Sequence, residues 1–214
     1  VVVLTADNQT LAFDASTGNP RWEHRGIREA AGYFSTTAPV ISEGIVVAAY
    51  SSGEVFALRL ETGNVLWRDT VISNQYTQAS ASLSGINANP IVQDGVVVVT
   101  SASGEIQASA LLNGRPLWQQ RVGGHMTPWS AGNVLYVLTS SHDIAALLKR
   151  DGAVRWSTSL AVRDEAAVIK DRTPPLYGPI LSANTVLVVD GDGMLTSFRP
   201  QDGQKISSFE LKEG

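Results

Sequence analysis

The 214-residue chain contains no cysteine. That excludes disulfides, thiolate metal sites, a cysteine nucleophile and a lipid-bearing cysteine within these residues, and it leaves the compartment open. Charge is also scarce, at 17% of residues against roughly 25% in an average globular chain. With 16 basic and 20 acidic residues the net charge is −4, so no electropositive surface is available and nucleic acid is excluded as a partner class. No window approaches 18 uninterrupted apolar residues, which excludes a membrane-spanning helix. The chain opens on Val1-Val2-Val3-Leu4 without an initiator Met, a basic segment or a small-residue cleavage site. It is therefore expected to be part of a longer protein, with any targeting segment outside it.

What is present is a chain with 43% hydrophobic residues and 19 glycines, a composition that folds and favours short strands joined by tight turns. A repeat organises it. The segment Asp14-Ala15-Ser16-Thr17-Gly18-Asn19-Pro20-Arg21-Trp22 recurs around Gly63 and Trp67, Gly114 and Trp118, and Gly152 and Trp156. In a fifth copy, at Gly203, Ser207 stands in the Trp position. Ten residues before each of these glycines stands a turn residue: Asn8, Gly53, Gly104, His142 and Gly193.

Pro39, Pro90, Pro128 and Pro179 each precede the Trp, or Ser207, of their own copy by 28 residues. All length variation lies between a Trp and the next Pro, in gaps of 17, 23, 10 and 23 residues. Between the landmarks run short β-branched segments such as Val96-Val97-Val98-Val99-Thr100, which read as buried strands. Each copy yields four strands, with Pro tolerated at the head of the first.

Tandem four-stranded antiparallel units of this length predict an all-β fold, a β-propeller with blades at about 1–26 (partial), 35–72, 86–122, 124–160 and 175–212 of one domain spanning 1–214. The constant 28-residue register disfavours a β-sandwich. The Trp of each fourth strand is expected to fill the seam to a neighbouring blade. Trp22, Trp67, Trp118 and Trp156, with Gly18, Gly63, Gly114 and Gly152, are thus the structural docking residues.

Ala12-Phe13-Asp14 through Trp22 resembles the tryptophan docking motif of quinoprotein-like propellers: Ala, any residue, Asp, three residues, Gly, three residues, Trp. The copies at Ala57, Ala108 and Ala146 keep Ala, Gly and Trp and replace the Asp with Arg59, Ala110 and Leu148. Two branches of that superfamily compete. The quinone-dependent dehydrogenases hold quinone and Ca²⁺ near the ring axis, typically beneath a disulfide that a cysteine-free chain cannot form. The second branch is the BamB family of outer-membrane β-barrel assembly lipoproteins. The connector Gln78 to Ile86 leading into Asn87-Ala88-Asn89-Pro90, the short connector Trp118 to Pro128, and the long one into Leu176-Tyr177-Gly178-Pro179 are similar to the BamB pattern.

That resemblance implies a ring of eight blades, about five of them present, and a non-catalytic scaffold with no cofactor. It also implies a BamA-like barrel-assembly protein and unfolded outer-membrane proteins as partners, at the periplasmic face of the bacterial outer membrane, through a lipid anchor outside this chain. Partner contacts would fall on loops ahead of first strands: Tyr33 and Phe34, and Ile86 and Asn87. Neither stretch matches the family's hydrophobic-Arg and Asp residues, so only the location carries over. Arg163 and Arg172, in the charge-rich connector before Pro174-Pro175, are candidates for a second contact. A dehydrogenase fragment and a generic protein- or polysaccharide-binding propeller stand as alternatives.

Other chemistry finds little support. His24, His125 and His142 share no metal-ligand spacing. Asp190-Gly191-Asp192-Gly193 lacks the further ligands of a calcium loop and reads as a β-turn. No phosphate-binding Gly loop or nucleophile elbow occurs. Trp129 is expected to pack near the axis rather than form a docking surface.

Overall fold

A computed structural model describes residues 1–27, 37–71, 85–160 and 174–211. They contain nineteen strands and no helix, in five antiparallel sheets. The chain divides into two compact units, Val1–His125 and Met126–Gly214.

The first unit holds three sheets. One is three-stranded: β1 (Val2–Leu4), β2 (Gln9–Phe13) and β3 (Pro20–Arg25). The second runs β4 (Val40–Ser42), β5 (Ile45–Ala49), β6 (Glu54–Arg59), β7 (Val65–Thr70), and the third β8 (Ile91–Gln93), β9 (Val96–Thr100), β10 (Ile106–Ala110), β11 (Pro116–Gln120). The second unit holds two sheets: β12 (Trp129–Ala131), β13 (Val134–Leu138), β14 (Asp143–Leu148), β15 (Val154–Ser159), and β16 (Leu176–Ser182), β17 (Thr185–Asp190), β18 (Met194–Phe198), β19 (Lys205–Glu210). In every sheet neighbours in sequence are neighbours in space, so each sheet is a meander joined by tight turns.

The turns explain the glycine spacing. Gly18, Gly63, Gly114, Gly152 and Gly203 all have φ between 69° and 73°, the left-handed region open to a residue without Cβ. The residues ten positions earlier are left-handed too, including the non-glycines Asn8 (φ 59°) and His142 (φ 60°). His142 thus serves as a turn residue whose amide donates to the Thr139 carbonyl.

β5 is buried along its whole length because both its faces are covered. Ile45, Val47 and Ala49 join a core with Trp67, Val97, Val99 and Leu111 of the second and third sheets. Val46 and Ala48 join a core with Tyr50, Phe56, Val2, Leu4 and Trp22. Two-sided burial is why these strands read as unbroken apolar runs rather than alternating ones. In the second unit Tyr136, Leu138, Ile144, Val186, Val188 and Phe198 form the corresponding core around Trp156.

Candidate functional site

Two features decide what these sheets can present: how they are joined, and how the connectors between them are held.

The joints follow one rule. The Trp22 indole N–H donates to the Leu60 carbonyl of the second sheet at 2.8 Å, Trp67 to Leu111 of the third at 2.6 Å, and, in the second unit, Trp156 to Pro200 at 2.9 Å. Three residues after each acceptor stands the turn glycine of the receiving sheet. A Cβ on Gly63 would lie 2.8 Å from the Trp22 ring, one on Gly114 2.7 Å from Trp67, and one on Gly203 2.3 Å from Trp156. The glycine is therefore required twice, for its φ and for the space its missing side chain leaves to the indole.

The motif's alanine has its own reason. Ala12, Ala57, Ala108 and Ala146 lie directly across the ladder from Trp22, Trp67, Trp118 and Trp156, and the register shifts at the next residue in each hairpin. A small residue opposite the indole leaves room for it to lean out of its own sheet. In the fifth sheet Ser197 and Ser207 hold these positions and bond each other at 2.7 Å. All six residues of β19 are exposed.

The motif's aspartate acts locally. Asp14 accepts the Ser16 and Thr17 amides, the Ser16 hydroxyl and the Arg21 guanidinium. These bonds, the Ser16 hydroxyl and Arg21 foremost, hold its carboxyl well below the usual carboxylate range. The side chain just before the glycine adds a bond of its own in every copy: Thr17 accepts the Asn19 amide, Thr62 that of Asn64, Asn113 that of Arg115, Asp151 that of Ala153 and Asp202 that of Gln204.

The connectors carry the expected partner contacts. Tyr33, Phe34, Arg163 and Arg172 lie outside the described residues. Ile86 is a correction: it is fully buried within the core of the second and third sheets, so its side chain faces no partner. The connector is drawn inward there because Gly85 passes against the Ser51 carbonyl, where a Cβ would stand 2.2 Å away, and its own carbonyl accepts the Ala102 amide at 3.0 Å. Asn87 is half-buried, and its Oδ1 makes no hydrogen bond to described residues. Exposed Asn89 accepts the Ala38 amide at 2.7 Å, tying the entries to two consecutive sheets together. Trp129 also departs from expectation: on the short edge strand β12 it is 40% exposed.

A polar cluster that the sequence did not reveal lies in the joint between the first and second sheets. The Tyr50 hydroxyl lies 2.8 Å from both Thr10 Oγ1 and His24 Nδ1. The His24 ring is 4.4 Å from that of Phe56. Asn8 and Glu54 hold the chain just beyond: the Asn8 amide donates to the Ile27 carbonyl at 2.9 Å, and Glu54 accepts the Ile27 amide at 2.7 Å. Burial pushes the Tyr50 phenol up to about 12 and the His24 imidazolium down, against the pull of Glu54.

Among the described residues no group of three or more His, Asp or Glu stands close enough to hold a metal ion. Asp190 Oδ1 accepts the amides of Asp192 and Met194, which makes its segment a turn.

The family model of outer membrane protein assembly factor BamB matches residues 1–158. An uncharacterised protein of Rickettsia prowazekii is 26% identical over 99% of this chain and 52% of its own length, so the chain spans about half of that relative. The crystal structure of BamB from Moraxella catarrhalis superposes with a TM-score of 0.84 over 99% of this chain and 61% of that one, at 19% identity. Quinohemoprotein alcohol dehydrogenase from Comamonas testosteroni gives 0.77 over 99% and 41%, at 17% identity. At these identities the two structures show a shared fold, all-β with antiparallel four-stranded sheets.

Proposed function

The chain belongs to the family of outer membrane protein assembly factor BamB, and from that premise we propose that it is a non-catalytic scaffold of the outer-membrane β-barrel assembly machinery. It works by position. Sheets joined through an indole and a glycine hold the strands that flank each connector in place, and the connectors vary in length, so a BamA-like partner meets connectors whose ends are already positioned. The observation that carries this reading is the family match together with the repeated Trp–Gly joint, which conserves geometry at the joints and leaves the connectors free to differ.

In this reading the chain contributes about five blades to an eight-bladed ring, at the periplasmic face of the outer membrane, anchored by lipid outside these residues. The connector that carries Tyr33 and Phe34 and the one that carries Arg163 and Arg172 present the partner contacts. Aromatic and arginine side chains suit such a contact because they combine large buried area with directional bonding.

The test is co-purification of the full-length protein with its barrel-assembly partner. Replacing Tyr33 and Phe34 by Ala, or Arg163 and Arg172 by Glu, is expected to lower retention at least about tenfold while leaving thermal unfolding unchanged. Undiminished retention in both variants would remove these connectors from the interface. Stoichiometric quinone uptake in the presence of Ca²⁺, with dye-linked alcohol oxidation, would overturn the scaffold reading altogether.

A further inference from the structure

The polar cluster between the first and second sheets occupies a place where the other joints carry different groups. Two residues after the Trp, the last strand carries His24 in the first sheet, Asp69 in the second and Thr158 in the fourth. Asp69 accepts the Gln107 amide of the third sheet, and Thr158 donates to the Gly203 carbonyl at 2.8 Å. Of these three groups, only the imidazole changes charge near neutral pH.

The cluster has a direction. Thr10 is fully buried, and its hydroxyl hydrogen needs an acceptor, which the Tyr50 oxygen 2.8 Å away supplies. Tyr50 then turns its own hydrogen to His24 Nδ1. An imidazole that accepts at Nδ1 is neutral and carries its proton on Nε2. Protonation places a hydrogen on Nδ1, reverses the Tyr50 hydroxyl towards Thr10 and strands the Thr10 hydrogen in the core.

Two charged groups lie on the face of the second sheet turned to His24. Glu54, on β6, favours the imidazolium; Arg68 is paired with Phe56 across the β6–β7 ladder. On the first sheet this face carries Val2, Leu4, Thr10, Ala12 and Trp22, none charged.

The geometry points to a proton-sensitive latch: the joint between the first and second sheets is closed while His24 is neutral and loosens when His24 takes a proton. Its output is the chain leaving β3. Gly26 packs so closely on the Tyr50 ring that a Cβ would lie 2.8 Å from it, and the Gly26 amide donates to the Asn8 carbonyl at 2.9 Å. In this latch a shift of Tyr50 uncovers Gly26 and exposes its bond to Asn8 to water.

Nitrogen-15 NMR of the chain tests this. His24 is expected as the Nε2–H tautomer at pH 7, with a midpoint below 6.5. Between pH 7 and 5, hydrogen-exchange protection of the Gly26 amide, corrected for the intrinsic rate, falls about sixfold for a midpoint one unit below 6.5 and approaches a ceiling of about 25-fold for lower midpoints. The Val71 amide, bonded to the Gly53 carbonyl at 2.9 Å in the equivalent place of the next joint, holds its protection. Thr10→Val removes the stranded hydrogen and raises the His24 midpoint, and His24→Gln abolishes the pH dependence at Gly26. An Nδ1–H tautomer, a midpoint at or above 6.5, or a parallel loss at Gly26 and Val71 overturns the latch. Should His24→Gln fail to fold, the wild-type tautomer and the Thr10→Val midpoint decide.

Discussion

The Trp67 indole stands where a side chain on Gly114 would have to go: a Cβ there would lie 2.7 Å from the ring. The two residues sit in different sheets and form a single joint, since neither can change without the other.

Gly114→Ala therefore meets two penalties, a left-handed backbone and a displaced indole. A loss of about 2–4 kcal/mol is expected in urea unfolding, with altered Trp fluorescence. Gly95→Ala is the control: Gly95 has φ 71° but nothing within 4 Å of its Cβ position. It should lose only about 1 kcal/mol and leave the fluorescence as it is.

Truncating the indole separates packing from hydrogen bonding. Trp67→Phe keeps an aromatic ring and leaves the Leu111 carbonyl without its donor, a cost of about 1–2 kcal/mol. Trp67→Ala adds a cavity and is expected to cost about 3–5 kcal/mol. Equal losses in denaturant titrations of the two variants would mean that the ring contributes little.

Ile86 and Ile27 make a second contrast. Ile86 is fully buried and Ile27 is 63% exposed. Ile86→Ala should destabilise by about 2–4 kcal/mol, whereas Ile27→Ala should stay within about 0.5 kcal/mol of wild type in thermal unfolding.

The pH dependence has opposite signs at the two ends of one hydrogen bond. His24 is held below its ordinary 6.5, so its contribution to stability is complete above that pH and is lost as pH falls through its folded value. Tyr50 is pushed up to about 12, so its contribution is complete below pH 10 and is lost as pH rises through 12. Absorbance at the phenolate band should show a late-titrating tyrosine near pH 12 that Tyr50→Phe removes. A titration in which that variant keeps the late step would assign it elsewhere.

The joints were legible in the sequence because each rests on a residue type with no substitute: glycine for the left-handed turn, and Trp four residues on. The Tyr50 cluster was not, since its partners stand 40 and 26 residues away at no repeated spacing. A trace existed all the same. Aligning the copies puts Thr10 in a column otherwise filled by Val55, Ile106, Ile144 and Leu195, and a hydroxyl in an apolar column needs a partner. Ile86 was misread because it sits between Gly85 and Asn87, in a stretch whose composition suggests surface. Burial there comes from the close approach of Gly85 to Ser51, which local composition does not encode.

The reach of the indoles bears on how the protein is made. Each acceptor carbonyl lies only 38 or 44 residues downstream of its Trp, so a joint closes as soon as one further sheet has been synthesised. Such nearest-neighbour coupling lets structure propagate along the chain in the order of synthesis, because these contacts need no distant segment. The interval in which an apolar sheet face waits uncovered is then about the time of making one repeat.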